Sequence, residues 1–358
     1  MIDTANRGKP IRVLIVDDSA IVRRLLSAAL AEEPDIEVIG TAPDPYVARD
    51  KILALNPDVL TLDIEMPRMD GISFLKRLMH YHPMPVIIIS SLGQAGCEAS
   101  LEALRLGAVE VLAKPAGPTS VGDLTHQLAM KIRSAAQARL KPANAQSRSA
   151  GPWITRPGTR RRRHLVAVGA STGGTQAIEA ILRRFPAECP PIVVTQHIPA
   201  QFSRAFADRL NRTLPMSVKE AEHGDPIEAG RVLIAPGNVH MGIIASSGNY
   251  QVVLRDGPVV CYQRPSVDVL FASVAQHAAK DSVAVLLTGM GQDGAQGMSQ
   301  LRKAGAWTIA QDEATCVVYG MPREAVRLQA VDESVALEDI PAAIESALTR
   351  RHVDRAIA

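Results

Sequence analysis

The sequence predicts two doubly wound α/β units joined by a basic tether, and three observations lead there. In each half of the chain, short apolar runs of β-forming residues alternate with segments whose apolar residues recur at helical spacing. That is the pattern of parallel strands covered on both faces by helices. The length of 358 residues suits two domains at ~150 residues each. Between the halves, Lys131 to Arg163 holds ten Lys/Arg and no Asp/Glu, leaving −8 for the remainder against +2 for the whole chain. This stretch contains Pro142, Gly151, Pro152, Pro157 and Gly158 and ends in four consecutive arginines, Arg160 to Arg163. It reads as a solvated linker, residues 131–163, entered from the end of a helix. Domain boundaries of 1–130 and 164–350 follow.

Composition excludes several classes. With 47% hydrophobic and 21% charged residues the chain is globular rather than disordered. No apolar run approaches the ~18 residues of a membrane helix. Met1 to Pro10 is polar and mixed in charge, unlike a signal peptide, so a cytoplasmic protein without membrane insertion is expected. Cys97, Cys189, Cys261 and Cys316 are too scattered for a compact zinc site or a disulfide scaffold. Reduced, mostly buried thiols fit better.

In the first unit, Ile11 to Val16 is a strand ending in Asp17-Asp18-Ser19. Val22, Leu25, Leu26, Ala29 and Leu30 follow at helical spacing. Ile36 to Ile39 is a second strand. Asp58 to Leu62 is a third and ends at Asp63. Pro85 to Ile89 is a fourth and ends at Ser90-Ser91. Val109 to Ala113 is a fifth and ends at Lys114-Pro115. In such sheets the carboxyl ends of the strands line the ligand crevice, and Asp17, Asp18, Asp63, Ser90 and Lys114 all fall there. Clustered carboxylates repel one another unless a cation neutralises them, and hard oxygen ligands suit Mg²⁺. A lysine and a hydroxyl beside them can hold phosphate oxygens, and a carboxylate can accept a phosphoryl group as nucleophile.

These motifs make the segment similar to the response-regulator receiver domain: Val16-Asp17-Asp18-Ser19, Leu62 to Gly71 (LDIEMPRMDG), Ser90 and Lys114-Pro115. The resemblance covers about 120 residues and implies a flavodoxin-like fold with a five-stranded parallel sheet. It makes Asp63 the phosphoacceptor, with Asp17, Asp18, Asp63 and the Glu65 backbone carbonyl as Mg²⁺ contacts and Ser90 and Lys114 as phosphate sensors. A sensor histidine kinase would be the phosphodonor. Many receivers carry an aromatic residue three positions before the lysine. Here that position is Val111, so a relay through an aromatic flip is not expected.

The second unit opens with a strand, His164 to Val168, running into Gly169-Ala170-Ser171-Thr172-Gly173-Gly174 and a helix with Ala177, Ile178, Ile181 and Leu182 at helical spacing. The Gly-rich turn has two readings. It can cradle a dinucleotide pyrophosphate, or, as Gly-x-Ser-x-Gly, present a serine hydroxyl. The first needs an acid at the end of the next strand, but that strand, Pro191 to Thr195, ends in Gln196-His197-Ile198-Pro199. A histidine there is what the serine reading needs, because consecutive parallel strands are usually neighbours and an imidazole can take the serine proton. The orienting acid is found in the Gly-rich loop after the strand Val283 to Leu287, at Asp293. Rival assignments are local: Ser266 reads as a helix N-cap and Asp268 as a first-turn acid in the same helix as His277. His240 lies between two short β-like runs and is a weaker candidate for a substrate contact.

The chain order Ser…His…Asp differs from that of α/β-hydrolases. The segment resembles the catalytic domain of the chemotaxis protein-glutamate methylesterases, the CheB family. The motifs behind this are GASTGG (169–174), QHIP (196–199), IAPGNVH (234–240), RPSVD (264–268), LTGMGQDG (287–294) and VYGMP (318–322). The resemblance covers nearly all of residues 164–350 and implies a doubly wound, mostly parallel sheet with a β-hairpin insertion. It implies a phosphorylation-activated esterase acting on glutamate methyl esters, and as a deamidase on glutamines, of chemoreceptor cytoplasmic domains. Ser171 would be nucleophile, His197 base and Asp293 its orienter, with backbone donors at Thr172 and a packing role for Met290. The esterase reaction would need no cofactor. The fused receiver suggests that the unphosphorylated first unit covers the cleft. Two alternatives stand beside this reading: a non-enzymatic regulator binding DNA through the Arg run, disfavoured because no helix-turn-helix pair is legible, and a nucleotide-cofactor oxidoreductase.

Overall fold

A computed structural model describes residues 9–91, 93–114, 121–140, 165–246 and 248–349, with 121–125 described for their backbone only. The chain divides into two compact units, Met1–Ala145 and Gln146–Ala358. Residues 141–163 of the expected linker, together with Pro115 and His164, lie outside the described residues.

The first unit alternates β1 (Ile11–Val16), α1 (Ala20–Ala31), β2 (Ile36–Ala42), α2 (Pro45–Leu55), β3 (Val59–Asp63), α3 (Gly71–Tyr81), β4 (Val86–Ser90), α4 (Gln94–Arg105), β5 (Glu110–Ala113) and α5 (Val121–Ala136). The sheet order is β2-β1-β3-β4-β5, parallel throughout, the flavodoxin-like winding. Strands β3 and β4 are buried along their whole length, as expected of strands covered on both faces. Helix starts follow side-chain capping: Ser19 accepts from Val22 N, Asp44 from Tyr46 N and Val47 N, and Asp70 from Ser73 N. Helix α5 continues to Ala136, into the stretch read as linker. Its Ile132 and Ala135 are fully buried, Lys131 pairs with Glu110 at 3.0 Å and Arg133 with Asp35 at 2.6 Å. The first of the basic residues thus belong to the surface of the first unit.

The second unit contains β6 (Leu165–Ala170), α6 (Gly174–Leu182), β7 (Ile192–Gln196), α7 (Ala200–Thr213), β8 (Ser217–Glu220), β9 (Arg231–Ile234), β10 (His240–Ser246) and β11 (Asn249–Arg255). It continues through α8 (Val267–His277), β12 (Ser282–Leu286), α9 (Ala295–Ala304), β13 (Trp307–Gln311), α10 (Met321–Arg327), β14 (Glu333–Val335) and α11 (Ile340–Thr349). Seven strands form one parallel sheet in the order β14-β13-β12-β6-β7-β9-β8, and β10 and β11 pair antiparallel as a separate hairpin. From β6 the chain winds outward through β7 and β9, then returns to β12 on the other side of β6. The order therefore reverses between β6 and β12, which opens a crevice at their carboxyl ends.

Helix α8 packs between this sheet and the hairpin. Its Leu270, Phe271 and Val274 share a core with Leu165, Leu286, Met241, Ile243, Met298 and Leu301. The approach is close at Gly169, where an added Cβ would lie 2.2 Å from Val267 Cγ1. Gly169→Ala is therefore expected to push α8 away from β6 and lower stability by roughly 1–3 kcal/mol, read as a drop in the urea midpoint of the second unit.

Candidate active site

Both units carry buried polar groups at strand carboxyl ends. In the first, Asp17 and Asp63 are each 1% exposed and Ser90 is fully buried. Lys114 Nζ lies 2.8 Å from Asp63 Oδ2 and 3.3 Å from Asp17 Oδ2. One carboxylate oxygen each of Asp17, Asp18 and Asp63 lies within 4.8 Å of the others. Burial raises the carboxyl groups of Asp17 and Asp63 above the ordinary range, against the opposing pull of Lys114. Burial alone would lower Lys114, but Asp63 and Asp17 hold it raised. The inward oxygens, Asp17 Oδ2 and Asp63 Oδ2, accept no well-formed hydrogen bond. Two buried carboxylate oxygens whose one partner among the described residues is Lys114, beside a third acid, fit a hard divalent cation with retained waters. The Glu65 side chain accepts from Ser91 Oγ at 2.9 Å and its N–H donates to Asp63 Oδ1 at 3.2 Å. Ser90 Oγ faces the carbonyls of Gly96 and Ser91 at 3.2 and 3.3 Å. Gly71 is required here, because its Cβ would meet the Asp63 carbonyl at 2.2 Å. Val111 is buried within β5.

In the second unit the backbone brings Ser171 and His197 together. Ala170 and Gln196 are paired across β6 and β7, and His197 N donates to Ala170 O at 3.1 Å. Ser171 and His197 each lie one residue beyond that pair, on strands ~4.8 Å apart. The Gln196 side chain fastens both: Nε2 donates to Ser171 O at 2.8 Å and to His197 O at 3.0 Å. Its Oε1 fills the space above Gly174, 2.1 Å from where a Cβ would stand. That close approach is what a dinucleotide would need, and the glutamine occupies it. Gly173 has φ +76°, and a Cβ there would lie 2.7 Å from Val317, so the turn needs glycine at that point.

His197 Nε2 meets Asp293 Oδ2 at 2.8 Å, while Nδ1 is buried without a hydrogen-bond partner among the described residues. Asp293 is 2% exposed and held by the start of α8. Oδ1 accepts from Ser266 Oγ (2.8 Å), Asp268 N (3.0 Å) and Gly294 N (3.1 Å), and Oδ2 accepts from Val267 N (2.7 Å). Burial would raise this carboxyl group, but His197 and the backbone donors outweigh it and hold it below the ordinary range. It is therefore ionised, and the His197 Nε2–H donates to it. Thr172 follows Ser171 in the chain, and Met290 lies in the loop after β12. Thr172 O accepts from Thr288 Oγ1 at 3.0 Å. Met290 follows Gly289, where a Cβ would come within 2.7 Å of the Ser171 Cβ.

The rival residues have other partners. Ser266 caps α8, accepting from Val269 N at 3.4 Å, and supports Asp293. His240 has both ring nitrogens engaged: Nδ1 accepts from Ser266 N at 3.2 Å and Nε2 donates to Pro258 O at 2.9 Å. It holds the loop before α8 and is not free for substrate. Gln196 and Ser266 as supports were not legible as such. The signal for Gln196 was its place directly before the strand-end histidine.

Residues 166–344 match the CheB methylesterase family model and residues 13–125 the response regulator receiver domain. The protein-glutamate methylesterase/protein-glutamine glutaminase 2 of Syntrophus aciditrophicus is 50% identical over 338 residues, 92% of this chain and 97% of its own. The protein-glutamate methylesterase/protein-glutamine glutaminase of Salmonella typhimurium is 50% identical over 336 residues, 92% of this chain and 95% of its own. The crystal structure of the Thermotoga maritima CheB methylesterase catalytic domain is 36% identical with a TM-score of 0.50, covering 51% of this chain and 98% of that one.

Asp268 gives a pH signature to this site. Burial and, secondarily, the nearby Asp293 charge raise its carboxyl group from 3.8 to about 6, against the Gly297 N–H that lowers it. The folded chain keeps this proton up to about pH 6 and the unfolded chain releases it near 3.8. The group's contribution to stability is thus whole below pH 3.8 and is lost as pH rises through 6. Asp268→Asn, which cannot ionise, should gain on the natural chain by roughly 1–3 kcal/mol between acid and neutral pH, measured by urea unfolding across that range.

Proposed function

The chain belongs to the CheB methylesterase family with a response regulator receiver, and from that premise we propose that Ser171, His197 and Asp293 carry its reaction. It is a protein-glutamate methylesterase and protein-glutamine glutaminase. The observation that carries the residue assignment is the 2.8 Å His197–Asp293 pair with Nδ1 left over, one step beyond the Ala170–Gln196 register.

Because Nε2 is committed to Asp293, Nδ1 takes the Ser171 proton as Oγ attacks the γ-carbonyl carbon. The tetrahedral intermediate collapses as Nδ1–H protonates the departing methoxide, which leaves as methanol; with a glutamine side chain, ammonia leaves. Water then gives a proton to Nδ1 and attacks the acyl carbon. Collapse returns that proton to Ser171 Oγ and frees the glutamate carboxylate. Backbone N–H groups at Thr172, two residues before α6, are the proposed oxyanion donors, and Met290 the packing neighbour of the His197 ring. Gln196 ties the backbones of nucleophile and base, which supports a fixed Ser171–His197 separation.

In the receiver, Asp63 is the proposed phosphoacceptor and a histidine kinase the donor, with Ser90 and Lys114 contacting the phosphoryl group. Asp17, Asp18, Asp63 and the Glu65 carbonyl would hold Mg²⁺, which neutralises charge during phosphoryl transfer. A first unit that runs through α5 to Ala136 and a second over 164–350, with the rest of the basic stretch as tether between them, suit a cytoplasmic esterase that phosphorylation switches on and whose substrates are chemoreceptor cytoplasmic domains. Among the described residues no helix is long and apolar enough to cross a membrane.

Methanol release from methylated receptor membranes, with and without a small-molecule phosphodonor, tests this reading. Ser171→Ala should lower release ~10⁴-fold or more while Asp63 still takes up phosphate; retained release would mean another nucleophile. Asp63→Asn should leave basal release and remove its stimulation by the phosphodonor. Gln196→Glu, whose carboxylate cannot donate to the two carbonyls, should lower kcat by ~10²-fold with an unchanged KM.

A further inference from the structure

The loop before α8 ends in a turn that the reaction chemistry leaves without a role. Val260 N donates to Gln263 O at 3.0 Å and Gln263 N to Val260 O at 2.8 Å, closing a two-residue turn over Cys261 and Tyr262. Both central residues are left-handed, with φ +50° and +63°. Glycine, asparagine and aspartate suit such a turn, and a bulky aromatic residue does not. A backbone held there persists only where its surroundings over-determine it, and such positions cluster at ligand clamps.

The surroundings are well fixed. Arg264 Nε and Nη2 donate to Asn238 Oδ1 at 3.0 and 2.7 Å, and Nη1 donates to Gly257 O at 2.8 Å. His240 holds Pro258 O. On its inner side the turn abuts the triad's acid: Cys261 Sγ lies 3.9 Å from Asp268 Oδ2 and within 4.8 Å of the nearest-grouped carboxylate oxygens of Asp268 and Asp293. On its outer side, Tyr262 is 72% and Val259 58% exposed. In the second unit, among the described residues, the other large exposed hydrophobic side chain is Val326. The turn therefore exposes Tyr262, with Val259 just before it, on the segment whose Cys261 Sγ reaches the carboxylates of Asp268 and Asp293.

Resting on the proposed esterase reading, we propose that Tyr262 and Val259 form the apolar rest on which the segment of the substrate protein that carries the glutamyl ester lies. A serine–histidine–aspartate set reacts with esters generally, so selection of a protein side chain must come from contacts outside the reacting atoms. The occupant that fits is this polypeptide segment, whose apolar residues near the esterified glutamate meet the ring and the valine. Aromatic side chains supply large contact area at low ordering cost, and fixing the turn before binding avoids ordering it afterwards.

The experiment uses the full-length protein with phosphodonor and methylated receptor, reading KM and kcat separately, with p-nitrophenyl acetate as a second substrate. Tyr262→Ser and Val259→Ser should each raise the receptor KM about tenfold with kcat within a factor of two, and Tyr262→Phe should restore the natural KM. An unchanged receptor KM in both serine variants would overturn the proposal. So would a parallel loss of kcat on both substrates, which would make the turn a prop for Asp293. Failure of the esterase reading itself looks different: the natural chain would release no methanol, or Ser171→Ala would still release it.

Discussion

The carboxylate of Asp293 is the fixed point of the catalytic unit. It is almost fully withdrawn from water, which by itself would neutralise it. Instead it accepts from the Ser266 hydroxyl, three backbone N–H groups and His197. Two of those N–H groups, of Val267 and Asp268, are otherwise-orphaned donors of the first turn of α8, so the helix start is also an anion site. The anion and the helix hold each other. The close packing of Gly169 and Gly294 on Val267 lets α8 approach β6 and the Asp293 loop together. Remove that approach and the donors no longer converge on one carboxylate.

The receiver solves the same problem of a buried carboxylate in the opposite way. Asp17 and Asp63 sit at strand ends as deeply as Asp293, yet their inward oxygens lack well-formed hydrogen bonds and face a single lysine. Their carboxyl groups are raised where that of Asp293 is lowered. Equal burial with different donors thus yields an unsatisfied anionic pocket in one unit and a saturated one in the other. The unsatisfied pocket suits an incoming cation and phosphoryl group. The saturated one suits a permanent partner for an imidazole.

Much of this was legible in the sequence because period and strand-end chemistry are local. Apolar runs ending in Asp17, Asp63, Ser90, Lys114, Ser171 and His197 fix both strand identity and the end at which the sites form. The β6–β7 neighbourhood follows from chain order. Less legible were contacts made by side chains crossing between elements. Gln196 points inward from a strand end and bridges two carbonyls, which no periodicity encodes. His240 resembled a cleft residue, but both its nitrogens serve the loop and the α8 start. The helical continuation of α5 through Lys131 and Arg133 was hidden because charge read as solvated tether, whereas these cations find Glu110, Glu33 and Asp35 on neighbouring elements. The left-handed Cys261 and Tyr262 had no glycine to announce them.

An acid held below the ordinary range has a consequence for the proposed cycle. Asp293 cannot readily take the Nε2 proton, since its lone pairs are already committed to five donors and it would lose them by protonating. The Nε2–H bond therefore stays intact, and the proton traffic is confined to Nδ1. The ring does not need to turn between attack and leaving-group protonation, because the same nitrogen serves both steps. What then limits the proposed cycle is the reach from Nδ1 to Ser171, and the β6–β7 register with the Gln196 amide spanning the two carbonyls holds the backbones from which both side chains start. In the proposed cycle Asp293 orients the imidazole and Gln196 holds the backbone that carries it, so the two supports act on different degrees of freedom of the same side chain.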